Sequence, residues 1–319
     1  MRPAIVLLTA VLLVQPALAQ QAPAPQNIVA QVRALIGKDD FAGAEKLVAG
    51  HLAENGTTPE GLEALSWLGR GQLARNRLDE ANRFATQTYG LALEALEKRA
   101  MDAEPRLPIA IGAAIEVQAH VMAAQGNRAE AVYFLERELE EYKATSIRSR
   151  IQKNIHLLSL EGKPAPAYEV REYAGAVKPP ALASLKGKPV MLFFWAHWCG
   201  DCKSMAGTLA ALQAEYKDAG FTIVAPTQRY GYVAKRAPAD PETERAYIGQ
   251  VAREFYGQVE WTIPISAESF ASYGSSTTPT IVLVDRAGVV RMYHPGQMTR
   301  EEIEPHIKAL VASRPTDRR

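Results

Sequence analysis

Cysteine is almost missing from this chain. There are two in 319 residues, and both fall in one short run, Trp198-Cys199-Gly200-Asp201-Cys202. With no third cysteine, a structural disulfide framework and a four-cysteine zinc site are both excluded. The 6 histidines are scattered and lack the His-Glu-x-x-His kind of spacing, so no metal site is expected. No glycine-rich turn follows a strand to hold a dinucleotide, so any electrons must come from another protein. Charge of one sign is also lacking: 36 basic and 35 acidic residues leave a net charge of +1, which gives nucleic acid no electrostatic foothold. Beyond the first 19 residues no run reads as long and apolar enough to span a bilayer, so no stable membrane anchor is expected.

What is present begins with a leader. Arg2 precedes an apolar stretch from Ala4 to Val14, followed by Ala17-Leu18-Ala19. A basic start, a short apolar core and a small-x-small site describe an export signal, cut after Ala19. The stretch is about half the roughly 20 residues a membrane span needs. The expected location is therefore periplasmic or otherwise exported, where disulfides persist and must be made, broken or reshuffled. Residues 20–25 read as a flexible linker and 314–319 as a disordered tail.

Residues 26–160 read as an all-α domain. Apolar residues recur at three-and-four spacing over Asn27–Ile36, Phe41–Asn55, Pro59–Ala74, Leu78–Ala100, Leu107–Ala124 and Arg128–Tyr142. Phe41-Ala42-Gly43-Ala44, Leu78-Asp79-Glu80-Ala81 and Arg128-Ala129-Glu130-Ala131 each open a helix after a polar turn. The alanines at 44, 81 and 131 are 37 and 50 residues apart, whereas the tetratricopeptide period is about 34. A degenerate tetratricopeptide-like array and an irregular helical bundle both fit. Either presents a surface to a partner protein or to the other domain.

Residues 161–313 change character. Val190–Trp195 and Phe221–Pro226 read as buried strands, and the cysteine pair opens a helix that runs to about Lys217. Pro241–Tyr256 reads as a helix, Thr280–Asp285 and Val289–His294 as an antiparallel pair around Arg286-Ala287-Gly288, and Thr299–Ala312 as a closing helix. The order β-α-β-α-β-β-α implies an α/β domain with a mixed sheet and helices on both faces. A Cys-x-x-Cys pair between a strand and a helix is suited to cycling between dithiol and disulfide. A static bridge is the alternative, but so short a loop constrains little chain entropy.

These residues resemble the thioredoxin superfamily, and within it the exported TlpA/ResA-like thiol–disulfide oxidoreductases. Three segments carry the resemblance. The first is Phe194-Trp195-Ala196-His197-Trp198-Cys199-Gly200-Asp201-Cys202-Lys203. The second is Gly162-Lys163-Pro164-Ala165-Pro166 with Leu182–Leu185 and Lys186-Gly187-Lys188-Pro189, similar to an N-terminal hairpin of that branch. The third is Thr277-Thr278-Pro279-Thr280, which matches a cis-proline loop. The resemblance implies Cys199 as the exposed nucleophile at a helix N-terminus and Cys202 as the buried resolving thiol. It implies a cis Pro279 that places the Thr278 backbone against a substrate peptide, with Trp198 flanking the sulfur and Trp195 in the core. The substrate would be a protein thiol or disulfide, the electron donor a protein, and the Cys199–Cys202 disulfide would serve without any cofactor.

Departures from the pattern matter as well. Relatives often bury an acid on the active-site strand or three residues after the second cysteine, and here those positions hold Phe193 and Met205. Gly207 stands where a helix-kinking proline is usual. Asp201 and His197 are then the nearest titratable groups for redox tuning or proton transfer, His197 otherwise facing solvent. Asp201 either disfavours a neighbouring thiolate, which points to a reducing or isomerising poise, or merely complements the helix N-terminus. His294 is a further candidate to face the site. Arg229-Tyr230-Gly231-Tyr232 through Arg236 reads as an inserted loop shaping the substrate groove. Two rival classes remain at this stage: a thiol peroxidase, although the residues before Cys199 lack the Pro-x-x-x-Thr/Ser-x-x-Cys pattern, and a non-enzymatic adaptor working through its helical domain.

Overall fold

The computed structural model describes residues 27–312. The leader at 1–19, the linker at 20–25 and the tail at 314–319 lie outside the described residues. Seven helices come first: α1 (Ile28–Gly37), α2 (Phe41–Asn55), α3 (Pro59–Ala74), α4 (Leu78–Leu96), α5 (Arg106–Ala124), α6 (Arg128–Glu141) and α7 (Arg148–Ser159). The first three start where side-chain caps dictate. Asn27, Asp40 and Thr58 each accept a backbone N–H three residues on, at 2.9, 2.8 and 3.1 Å.

The faint repeat has a physical basis. Asp39, Asn76 and Gly126 all have left-handed backbones, φ +62°, +55° and +92°, and each sits in the turn between paired helices. In all three turns the same two bonds form. Asp39, Asn76 and Gly126 donate to Ile36, Leu73 and Ala123, and the following residues Asp40, Arg77 and Asn127 donate to Leu35, Gln72 and Met122. Five residues past each turn, Ala44, Ala81 and Ala131 are fully buried.

Three expectations need correction. The helix expected over Leu78–Ala100 ends at Leu96, and a separate 3₁₀ turn covers Met101–Ala103. α5 is, contrary to the sequence reading, long and apolar enough to cross a membrane by length and composition. Its apolar surface is covered instead: Leu107, Ile111, Ile115 and Ala119 are fully buried in the core shared with α4, α6 and α7. α7 went unrecognised because Ser149, Arg150, Gln152, Lys153 and Asn154 leave only a sparse apolar stripe, Ile151, Ile155 and Leu158. Packing rather than intrinsic preference makes it a helix.

The second half builds one six-stranded sheet from β1 (Glu172–Ala174), β2 (Val190–Phe194), β3 (Thr222–Val224), β4 (Trp261–Ile265), β5 (Thr280–Val284) and β6 (Val290–Pro295), in the order β1-β4-β3-β2-β5-β6. β2, β3 and β4 run parallel, while β5, β6 and β1 are antiparallel to their neighbours. The helices are α8 (Gly200–Ser204), α9 (Ala206–Tyr216), α10 (Pro241–Tyr256), α11 (Ala267–Ser272) and α12 (Arg300–Ala312). Alternation along β2 splits the core. Met191 and Phe193 face Leu209, Ile248 and Ile303, whereas Val190, Leu192 and Phe194 face Phe270, Tyr273 and Tyr293.

The expected element order lacked β1, β4 and α11. The first is three residues long, and the second carries Pro264, which reads as a strand breaker. The expected N-terminal hairpin is also absent. Gly162 and Ala165 donate to the carbonyls of Val290 and Gly288, each at 2.9 Å, so this segment pairs with the start of β6. Leu182–Leu185 forms a lone 3₁₀ turn. Pro164 and Pro166, lacking N–H groups, leave this segment few donors for a ladder of its own.

α7 ties the two halves together. Arg148 makes a two-pronged ion pair with Glu268 of α11, at 3.0 and 2.7 Å. His156 Nε2–H donates to the Ser272 carbonyl at 2.8 Å, and its ring meets Tyr293 edge-on at 5.4 Å. Gly274, which leads into the loop before Pro279, lies against the α7 backbone: a Cβ there would clash with Lys153 N and fall 2.6 Å from Lys153 Cα.

Candidate redox active site

β2 is wholly buried between β3 and β5, and its last residues emerge at the carboxyl end of the strand. Beyond it, Trp195 N–H donates to the Pro226 carbonyl at 3.1 Å, its indole N–H donates to the Ala225 carbonyl at 3.1 Å, and Thr227 Oγ1 donates to the Trp195 carbonyl at 2.8 Å. Trp195 is therefore core, fully buried and stacked on Trp261 at 5.5 Å. These bonds fix where the chain emerges to form the cysteine turn.

Cys199 caps α8. Its Sγ accepts the Cys202 N–H at 3.0 Å and is bonded to Cys202 Sγ in a disulfide whose Cα atoms lie 5.3 Å apart. Cys199 is less open than the sequence suggests, at 3% exposure, against 0% for Cys202. Both cysteines are buried in the disulfide form. The helix breaks after Ser204: Met205 donates to Cys202 rather than to Asp201, and α9 restarts from it. No proline is needed for the break. Phe193 and Met205, the two positions at which the resemblance led to an expected acid, are buried at 0% and 3%.

The Thr278–Pro279 peptide bond is cis. The Thr278 carbonyl oxygen lies 3.5 Å from Cys199 Sγ. Trp198 is 49% exposed and packs edge-on against Tyr230 at 5.4 Å. Thr278 and Trp198 thus stand close to the same sulfur, one offering backbone and the other an open aromatic face. Asp201 is exposed on the first turn of α8. His294 is half-buried on β6 opposite Ile281, and among the described residues no hydrogen bond at either sulfur involves it.

His197 does not face solvent. It is 1% exposed, and its Nε2–H donates to Glu244 Oε1 at 3.2 Å. Tyr230, Tyr232 and Tyr247 surround the ring edge-on at 5.6, 5.4 and 5.3 Å. Burial pushes the imidazole below its ordinary pKa of 6.5, against the opposing pull of Glu244, so the neutral ring is favoured. Glu244 is the acid that sequence reasoning missed. It stands on α10 in register with Ile248 and Val251, a carboxylate on the stripe that faces the core. That misplaced charge is the signal that would have found it.

Among the described residues no group of three or more His, Cys, Asp or Glu side chains is placed to hold a metal ion. The dithiol–disulfide pair is the redox-capable chemistry the site contains.

Comparison with known proteins fits this geometry. The model of the thioredoxin-like domain family matches residues 179–310. The chain is 29% identical over 147 residues to the thioredoxin-like protein YneN of Bacillus subtilis, covering 45% of this chain and 76% of that protein. It is 30% identical over 154 residues to the thiol-disulfide oxidoreductase ResA of Bacillus thuringiensis subsp. konkukian, covering 47% of this chain and 78% of the relative. A solved thiol:disulfide interchange protein of the thioredoxin family from Chlorobium tepidum aligns over 48% of this chain and 98% of its own, with 20% identity and a TM-score of 0.36.

Proposed function

Because this chain belongs to the ResA-like thiol–disulfide oxidoreductases of the thioredoxin superfamily, we propose that it reduces or isomerises protein disulfides through a Cys199/Cys202 cycle. In its reduced form Cys199 is the attacking thiolate. The Cys202 N–H, which reaches its sulfur at 3.0 Å, stabilises that negative charge at the start of α8. Cys199 sulfur attacks one sulfur of the substrate disulfide, and the other substrate sulfur leaves as a thiolate and takes up a proton. Cys202, deprotonated, then attacks Cys199 Sγ, closes the internal disulfide and releases the second substrate thiol. Two electrons pass to the substrate, and a protein donor returns them to the pair.

The single observation that carries this reading is the junction at Cys199 Sγ. One side receives a backbone N–H, and the other lies 3.5 Å from the carbonyl before a cis proline. Thr278 offers backbone to an extended substrate, while Trp198 gives it an apolar surface. Asp201, exposed beside the sulfurs, disfavours the thiolate and so favours a reducing poise. We assign residues 26–160 as a tetratricopeptide-like partner-docking domain and 161–313 as the catalytic domain. The three equivalent turns support the first assignment. The leader-like residues 1–19 support an exported location.

The experiment is trapping. A Cys202→Ser protein mixed with a disulfide-bonded peptide should form a covalent adduct that dithiothreitol releases. Cys199→Ser should form none. An adduct through residue 202 in Cys199→Ser would reverse the assignment.

A further inference from the structure

The redox cycle gives Glu244 no task, yet its carboxylate is only 1% exposed. A buried charge of that kind costs several kcal/mol unless donors surround it. Here three do. Glu244 Oε1 accepts from Tyr230 N–H at 2.5 Å and from His197 Nε2–H at 3.2 Å, and Oε2 accepts from Gly231 N–H at 2.9 Å. The donors come from two separate stretches of chain, the turn leading into Cys199 and the loop between β3 and α10.

That loop is organised to meet the carboxylate. Gly231 has φ +79°, a conformation open to glycine, and it lets two consecutive N–H groups converge on one side chain. Beyond it the loop closes on itself, with Val233 N–H to the Ala237 carbonyl at 2.9 Å and Ala239 N–H to the Gly231 carbonyl at 3.0 Å. The result is a fixed position for Tyr230, whose ring packs edge-on against both His197 and the half-exposed Trp198.

We propose that Glu244 is the positioning residue for substrate recognition: it latches the β3–α10 loop to the cysteine turn, so that Tyr230 and Trp198 form one aromatic wall beside Cys199. The wall fits a polypeptide disulfide that carries an apolar or aromatic side chain next to its cysteine. The inference rests on the reading that substrate reaches Cys199. Thr278 holds the substrate backbone while the wall selects the neighbouring side chain. Without the latch, two buried N–H groups and the imidazole N–H lose their acceptor and the loop moves away from Trp198.

The test compares two substrates. One is a synthetic peptide disulfide with phenylalanine beside its cysteine; the other is hydroxyethyl disulfide, too small to reach the wall. The proteins are wild type, Glu244→Gln and Tyr230→Leu, the last removing the wall's ring while leaving the latch's backbone donors in place. Both variants should lose about tenfold in kcat/KM on the peptide, mainly through KM, the equivalent of one good contact. Both should stay within about twofold of wild type on hydroxyethyl disulfide, and the reduction potential of the cysteine pair should not move. Equal losses on the two substrates would place Glu244 in the chemistry and overturn the positioning role. Unchanged peptide kinetics in both variants would overturn the wall. A wild-type protein that reduces neither substrate would instead sink the underlying reading of Cys199.

Discussion

Replacing Gly274 with alanine tests how tightly the helical array is bound to the redox half. Two costs add. Gly274 has φ +62°, where an L-residue with a side chain loses roughly 1 kcal/mol or more. The new methyl would also meet α7 itself: it clashes with Lys153 N and falls 2.6 Å from Lys153 Cα and 2.7 Å from the Gln152 carbonyl carbon. These are backbone atoms inside a helix, so no side-chain rotation relieves them, and overpacking of this sort costs about 1–3 kcal/mol. The sum is about 2–4 kcal/mol. Gly288 is the matched control. Its φ is +83°, but the nearest atom to a Cβ is the flexible Lys186 Cε at 3.8 Å, so Gly288→Ala should show the backbone cost alone, about 1 kcal/mol. Urea titrations of both variants, with hydrogen exchange at the amides of α7, read the difference. Gly274→Ala should be the less stable by about 1–3 kcal/mol, with faster exchange along α7. Equal stability of the two variants, with α7 exchange unchanged, would refute the close approach.

Two shorter predictions follow from buried and exposed charge. Burial pushes both His156 and His197 below the ordinary 6.5, so between pH 6.5 and their folded values the unfolded chain binds protons that the folded chain does not. Stability should therefore fall as pH drops below about 6.5, by at most about 1.4 kcal/mol per pH unit for each histidine. Urea titrations between pH 5 and 8 measure the slope, and His156→Gln should reduce it. Asp201→Ala should lower the Cys199 thiol pKa by about half a pH unit or less, because the carboxylate is exposed and screened by water. Thiolate absorbance near 240 nm, an approximate band position (~240 nm), reads this in the reduced protein; an unchanged or higher pKa would remove Asp201 from redox tuning.

Much of this molecule was legible because its signals are local. Apolar spacing gave α2, α3 and α10 with the bounds the structure shows, and the structure adds why they start there: Asp40, Thr58 and Asp240 each satisfy N–H groups within their own first turn. The cysteine turn is likewise a short local motif, whereas the Thr278–Pro279 loop was legible through the family resemblance. What escaped depends on partners far away in sequence. α7 is a helix because Ile151, Ile155 and Leu158 find the α5–α6 core. β4 is a strand despite Pro264 because β1 and β3 flank it. His197 looked solvent-facing because its shield, three tyrosines and Glu244, comes from residues 230–247.

The most direct test is the reduction potential of the Cys199–Cys202 pair, measured by equilibrating the protein from Gln20 onward in glutathione and dithiothreitol buffers. A reducing oxidoreductase should poise near thioredoxin, roughly −270 mV. A value near about −120 mV would mark a disulfide donor and contradict both the direction of electron flow and the role given to Asp201.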